Sequence, residues 1–314
     1  ILSNERSRAL KFSIDKGKVD VTTSSPEFGE AHEPLAVEYS GTPMTICFNA
    51  QYVVDFLNVV RGHIDTDAAL TDVIPIQGMP SAPHLDWAGE VRGATGLPTF
   101  HAARIPDVAT ARYAVQSGQL DMVGMTRAHI ADPHIANKIL AGEEQRIRPC
   151  VGAGYCIDGI YEIGNAACIH NPATGREASV PHVLKKAGGS PRRVVVIGAG
   201  PAGLEAARVA GERGHRVTVL EAQSQAGGQV LLAAKAPRRR ELIGIVDWRL
   251  AECRRLGVEF RFDVLAGVED VLAEEPDLVV VATGGLPYTS FLEEGEDLVT
   301  TTWDLLSGQV APES

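Results

Sequence analysis

The stretch that most constrains the fold is "RRVVVIGAGPAGLEAARVAGERGHRVTVLE", residues 192–221. Val194 to Ile197 read as a buried strand. Gly198, Gly200 and Gly203 form a G-x-G-x-x-G turn that opens directly into the helical pattern "AGLEAARVAGERG". A second strand, "RVTVLE", ends in Glu221, 23 positions after Gly198 (198 to 221). An acidic residue about 20 positions on is the spacing of a dinucleotide-binding βαβ unit. In such a unit the glycines make the turn, let a pyrophosphate approach the backbone, and pack helix on strand. Pro201 and Ala202 open the helix, whose N-terminal N–H groups favour an anion. Glu221 would accept hydrogen bonds from the adenosine ribose and disfavour a 2′-phosphate.

Two later stretches point to the kind of dinucleotide. "AGGQV" places Gly228 and Gln229 soon after Glu221, and "DLVVVATGG" reads as a buried strand running into Thr283 and Gly284. Both resemble the FAD-binding half of two-dinucleotide reductases, which implies FAD. Between them, "RRRELIGIVDWRLAECRRLGVEFRF" reads as a helix and a strand. Arg238, Arg239 and Arg240 read as a solvated turn, and Cys253 as core or surface. No second G-x-G-x-x-G follows for NAD(P)H.

A different alternation precedes this module. From Asp55, "DFLNVV" reads as a buried strand, "APHLDWAGEVRGAT" as a helix, "PTFHAARI" as a strand and "DVATARYAVQSG" as a helix. "DMVGMTR" is then a strand and "DPHIANKILAG" a helix. Strands alternating with helices imply parallel βα units. Three are present, and a closed βα barrel needs eight. Arg104 and Arg127, at the ends of successive strands, and Gly124 beside them suit a phosphate at a strand C-terminus. On pattern alone the two arginines read more often as solvated surface residues.

"RPCVGAGYCIDGIYEIGNAACIHNPATGRE" sets Cys150, Cys156 and Cys168 in what reads as one irregular, glycine-rich stretch. Closely spaced thiolates followed by a distant one suit an iron–sulfur cluster; three free or buried thiols are the alternative. The absence of a C-x-x-C pair argues against zinc.

With these stretches in hand, the chain from about residue 55 resembles the NADH:flavin oxidoreductase family that includes trimethylamine dehydrogenase, 2,4-dienoyl-CoA reductase and N-methyl-amine demethylases. The carrying segments are "DMVGMTRAHIADPHIANKILAGEEQRIRPCVGAGYC" and "CIHNPATGRE". The resemblance implies an FMN-binding barrel, a [4Fe-4S] loop and an FAD- or ADP-binding domain. Arg104, Gly124 and Arg127 would hold the FMN phosphate, and Cys150, Cys156 and Cys168 would be cluster ligands. Electrons would pass among NAD(P)H, FAD, cluster and FMN, with an amine or an unsaturated carbonyl compound as the small-molecule substrate. Ala153 stands where the family's second cysteine falls and has no ligand atom.

Residues 1 to about 58 have another character. "ALKFSIDKGKVDVTTSS" alternates about Lys16-Gly17-Lys18 as a hairpin does, and "EPLAVEYSGTPMTICFN" repeats the pattern with its turn at Ser40-Gly41-Thr42-Pro43. "AQYVVDFLNVV" is spaced as a helix, with Asn49 as its N-cap. This segment resembles the third domain of the bacterial DNA polymerase III sliding clamp (β subunit). It covers half of one clamp domain, too little for a ring around DNA. The two resemblances share Asp55 to Val59, which implies a chimeric or misjoined chain.

The expected fold is thus α/β. A small clamp-like α+β segment (1–58) precedes a three-unit piece of a TIM barrel (59–147). A cysteine loop and linker (148–191) lead to a Rossmann-like FAD/NAD(P)-binding domain (192–314). The net charge of −11 argues against a general nucleic-acid binder. No apolar run suits a membrane helix and no signal peptide is evident, so a cytoplasmic location is expected. The chain begins without Met, which suggests a fragment. The alternatives to a fragment of a flavin oxidoreductase are a clamp-derived protein-binding module and a stand-alone FAD- or ADP-binding protein.

Overall fold

The computed structural model describes residues 9–25, 29–49, 57–62, 66–289, 291–292 and 294–311. The chain divides into two compact units. One comprises 1–61, 84–102 and 112–124; the other comprises 62–83, 103–111 and 125–314.

The first unit holds two sheets. β1 (Ala9–Asp15), β2 (Lys18–Ser25), β3 (Gly29–Ala36) and β4 (Met44–Asn49) form an antiparallel sheet of order β3-β2-β1-β4. The hairpin expected at Lys16-Gly17 is present, with Asp15 opposite Lys18. The second expected hairpin is not. β4 pairs with β1, Phe12 opposite Ile46, and β3 pairs with β2 on the far side. The intervening chain crosses the first turn, where the Val37 N–H donates to the Gly17 carbonyl (3.1 Å). Alternation marks a strand but not its partner. Asn49 ends β4, and the helix expected after it falls outside the described residues.

The second sheet is parallel, of order β5-β6-β7, with β5 (Leu57–Val59), β6 (Thr99–His101) and β7 (Met122–Val123). β5 was expected to be buried, yet only Leu57 and Val59 are half-buried and Asn58 is exposed. Three strands are each followed by helix: α1 (Asp67–Val73) and α2 (Leu85–Thr95) lie between β5 and β6, α3 (Val108–Gln116) follows β6, and α4 (Thr126–Ala131) follows β7.

In the second unit, α5 (Ile135–Leu140) leads to the cysteine segment. That segment is not wholly irregular. Cys156 sits on α6 (Tyr155–Ile163), where Ile157, Ile160 and Tyr161 fall at helical spacing. The Rossmann-type sheet has parallel order β10-β9-β8-β11: β8 (Arg193–Ile197), β9 (Arg216–Leu220), β10 (Glu259–Arg261) and β11 (Leu278–Val281). α7 (Pro201–Glu212) and α9 (Gly244–Arg255) pack with it; α8 (Val230–Ala233), α10 (Val268–Ala273) and α11 (Thr302–Ser307) complete the module. Its core joins Val194, Val196, Leu204, Ala207, Val217, Val219, Val246 and Cys253. Each fully buried aliphatic side chain there contributes about 1.5–3 kcal/mol. β11 departs from expectation. It lies at the sheet edge, and Leu278, Val279 and Val281 are exposed. An all-apolar run predicts burial on both faces only when a neighbour lies on each side. Among the described residues, no helix is long and apolar enough to cross a membrane.

Candidate functional site: a dinucleotide cavity

The turn from β8 to α7 assigns each glycine a separate task. Gly198 adopts φ +100°, which L side chains rarely tolerate, and its N–H donates to the Leu220 carbonyl at 2.8 Å. A Cβ on Gly200 would meet nothing within 4 Å, so its backbone is open to a ligand. A Cβ on Gly203 would lie 1.9 Å from the Gly198 carbonyl oxygen, so that position is closed by packing. These are the roles the motif predicts: turn, approach and helix–strand contact. Pro201 fills the first position of α7, where an N–H would lack an intrahelical partner.

Glu221, at the end of β9, is 8% exposed. One carboxylate oxygen accepts the Ala199 N–H at 2.6 Å, and the other accepts the Gln223 N–H at 2.8 Å. Lone pairs remain for ribose hydroxyls. A cavity of about 1350 Å³ opens over this turn. Gly198, Gly200, Pro201, Ala202, Glu221, Gly228, Gln229, Thr283 and Gly284, all expected site residues, line it. Gly203 acts from beneath, through packing. The Gln229 amide donates to the Gly285 carbonyl at 2.8 Å, joining the two glycine loops. Lys235, Trp303 and Asp304 also line the cavity and were missed in the sequence. The spacing Thr301-x-x-Asp304, a capping box at the start of α11, was the available signal.

Beside this module, Glu205 on α7 pairs with Arg208 (2.7 Å) and with Arg249 on α9 (2.9 Å). Burial opposes its charge, but the hydrogen bond to Arg208 and the charges of Arg208, Arg249 and Arg148 outweigh it, holding the carboxyl at about 2. Trp248 takes the Arg148 guanidinium on its ring at 4.4 Å. Cys253 is fully buried, and burial pushes its thiol up to about 12, so it is core.

Cys150, Cys156 and Cys168 are free thiols. Burial, then the neighbouring thiols, pushes Cys156 up; burial also pushes Cys150 up, against the charges of Arg127 and Arg104. Among the described residues, no group of three or more His, Cys, Asp or Glu side chains is placed to hold a metal ion. Arg104 is buried rather than solvated. The partly buried Arg127 guanidinium donates to the Pro75 carbonyl at 2.9 Å. Gly124 lies in the first unit, where a Cβ would sit 2.5 Å from that of Ala102.

Residues 192–305 match the pyridine nucleotide-disulphide oxidoreductase family. The chain is 62% identical over 260 residues to a "Probable N-methylproline demethylase" of Rhizobium meliloti, covering 83% of this chain and 38% of that protein. From about residue 55, the chain resembles proteins of the NADH:flavin oxidoreductase family. An N,N-dimethylglycine/sarcosine dehydrogenase of Chromohalobacter salexigens is 46% identical over 273 residues, covering 84% of this chain and 39% of that protein. The structure of a 2-naphthoyl-CoA reductase in complex with 2-naphthoyl-CoA superposes with TM-score 0.70 at 31% identity, over 75% of this chain and 36% of that one. The chain therefore spans well under half the length of these relatives. Residues 1–65 match a second family, the C-terminal domain of the DNA polymerase III beta subunit.

Proposed function

We propose that the second unit binds FAD by its ADP moiety and serves a flavin-dependent oxidoreductase of the amine demethylase or dehydrogenase type. The carrying observation is the Glu221 carboxylate, fixed on Ala199 and Gln223 at the wall of a 1350 Å³ cavity beside the open backbone of Gly200. The residues fit the group: an open backbone for the pyrophosphate, an acidic acceptor for the ribose, and space for a large ligand. Bound FAD supplies hydride and electron transfer. The chain's own groups bind and orient it. The α7 N-terminus faces the pyrophosphate with free N–H groups, Glu221 accepts from the ribose and repels a 2′-phosphate, and Gln229 braces the loop at Thr283 and Gly284.

The finer assignments belong to the same proposal. The three parallel βα units are part of an FMN-binding barrel. Arg104 and Arg127 would stand at the phosphate end of its FMN site, supported by the buried charge of Arg104; Gly124, in the first unit, is closed by packing against Ala102. Cys150, Cys156 and Cys168 are soft donors suited to an iron–sulfur cluster, but Ala153 supplies no ligand and the thiols are not gathered into a metal site. The fit is incomplete, and no step is routed through a cluster. NAD(P)H would supply or take electrons, and the substrate would be a small amine or an unsaturated carbonyl compound.

Isothermal titration with ADP and FAD tests the reading. Saturable binding of both, lost in Gly200→Val, is expected. Failure of the wild-type chain to bind either removes it.

A further inference from the structure

Arg104 is held in an unusual way. Its side chain is 4% exposed and its backbone sits at φ +47°. That left-handed conformation is strained for a non-glycine residue, and such strain concentrates at functional sites. Nε donates to the Met79 carbonyl at 2.8 Å. Nη2 donates to the carboxylate of Glu241, which lies 137 residues away in sequence, in a 3-10 turn (Arg240–Ile243). Met79, Arg104 and Glu241 all belong to the second unit. Nη1 makes no hydrogen bond within the described protein. Beside it stands Gly152 at φ +65°, where a Cβ would come within 3.3 Å of Nη1 and 3.2 Å of Glu241 Oε2. Two edges of the guanidinium are therefore anchored. The third is unclaimed, almost buried, and faces a position kept free of side chain.

A guanidinium carries donors on every edge and no acceptor, so this edge is open to an acceptor that the chain does not supply. A fork with two donors fixed presents the remaining ones in a defined direction, the geometry that phosphate oxygens accept. We propose that Glu241 is a positioning residue. It orients Arg104 so that Nη1 meets a flavin phosphate, and it reaches that site from the dinucleotide-binding module. The inference rests on the reading of Arg104 as a flavin-phosphate anchor. Glu241 touches no phosphate itself; it acts through Arg104 by accepting a hydrogen bond. An amide oxygen can do the same, and a methyl group cannot.

The test compares FMN with riboflavin, which lacks the phosphate, as ligands of the full chain with saturating ADP in the dinucleotide cavity. Flavin fluorescence gives both dissociation constants. The wild type prefers FMN. Glu241→Ala reduces that preference about tenfold, the scale of one charge-assisted hydrogen bond, and leaves the riboflavin constant unchanged. Glu241→Gln retains the preference. An alanine variant with unchanged preference makes Glu241 a bystander. One with a stronger preference makes it a competitor for Arg104. Equal weakening of both ligands makes its role purely structural, and a glutamine variant as poor as alanine assigns the effect to charge rather than orientation. Each of these four results overturns the proposal. A wild type with no preference for FMN removes the phosphate reading of Arg104 itself, a failure distinct from these.

Discussion

The Glu221 carboxylate accepts the Ala199 N–H at 2.6 Å, so the acidic end of β9 and the glycine turn after β8 are one rigid unit before any ligand arrives. The same carboxylate that would recognise a ribose also shapes the turn that would receive the pyrophosphate. Preorganisation of this kind lowers the ordering cost of binding.

Replacing Glu221 therefore affects both parts. In Glu221→Gln the amide can accept only one of the two backbone N–H bonds. The ADP dissociation constant should rise about tenfold or more, in keeping with the loss of a charge-assisted hydrogen bond. Titration of ADP against 2′-phospho-ADP should show the variant losing its discrimination between the two.

The glycines separate stability from binding. Gly203→Ala drives a methyl group to 1.9 Å from the Gly198 carbonyl oxygen, backbone that cannot yield. It should cost about 3 kcal/mol in urea unfolding, at the upper end of overpacking. Gly200→Ala meets nothing within 4 Å and should unfold like the wild type. Its ADP affinity should nonetheless fall about tenfold, because the added methyl group faces the ligand.

The Glu205 pair sets an acid limit. Its folded pKa of about 2 lies below the ordinary 4.5. The stability it contributes is therefore fully present above pH 4.5 and lost as pH falls from 4.5 toward 2, by at most about 1.4 kcal/mol per pH unit. Thermal unfolding followed by circular dichroism should show this slope in the wild type and a shallower one in Glu205→Gln. At pH 7, Glu205→Ala leaves Arg208 and Arg249 short of a counter-charge and should cost about 3 kcal/mol.

The dinucleotide unit was legible almost residue by residue, because its glycine spacing, strand and acidic end all constrain one local structure. The helices α2, α3, α5 and α9 were legible from period alone. What escaped depended on distant partners. The run Leu278–Val281 reads as buried, but no neighbour covers the outer side of β11. The alternation of β3 and β4 could not reveal that they lie on opposite edges of their sheet. The cysteines hid a helix because glycines at 152, 154 and 164 look like loop. Nothing local to Arg104 could point to Glu241, and Trp303 joined the cavity only through the fold.

The most direct measurement is to purify the chain anaerobically, release any cofactor with acid, and identify it by chromatography alongside the visible spectrum of the intact protein. The account predicts FAD, close to one per chain, with flavin absorbance lost in Glu221→Gln. A colourless protein that also fails to take up added FAD or ADP would contradict it.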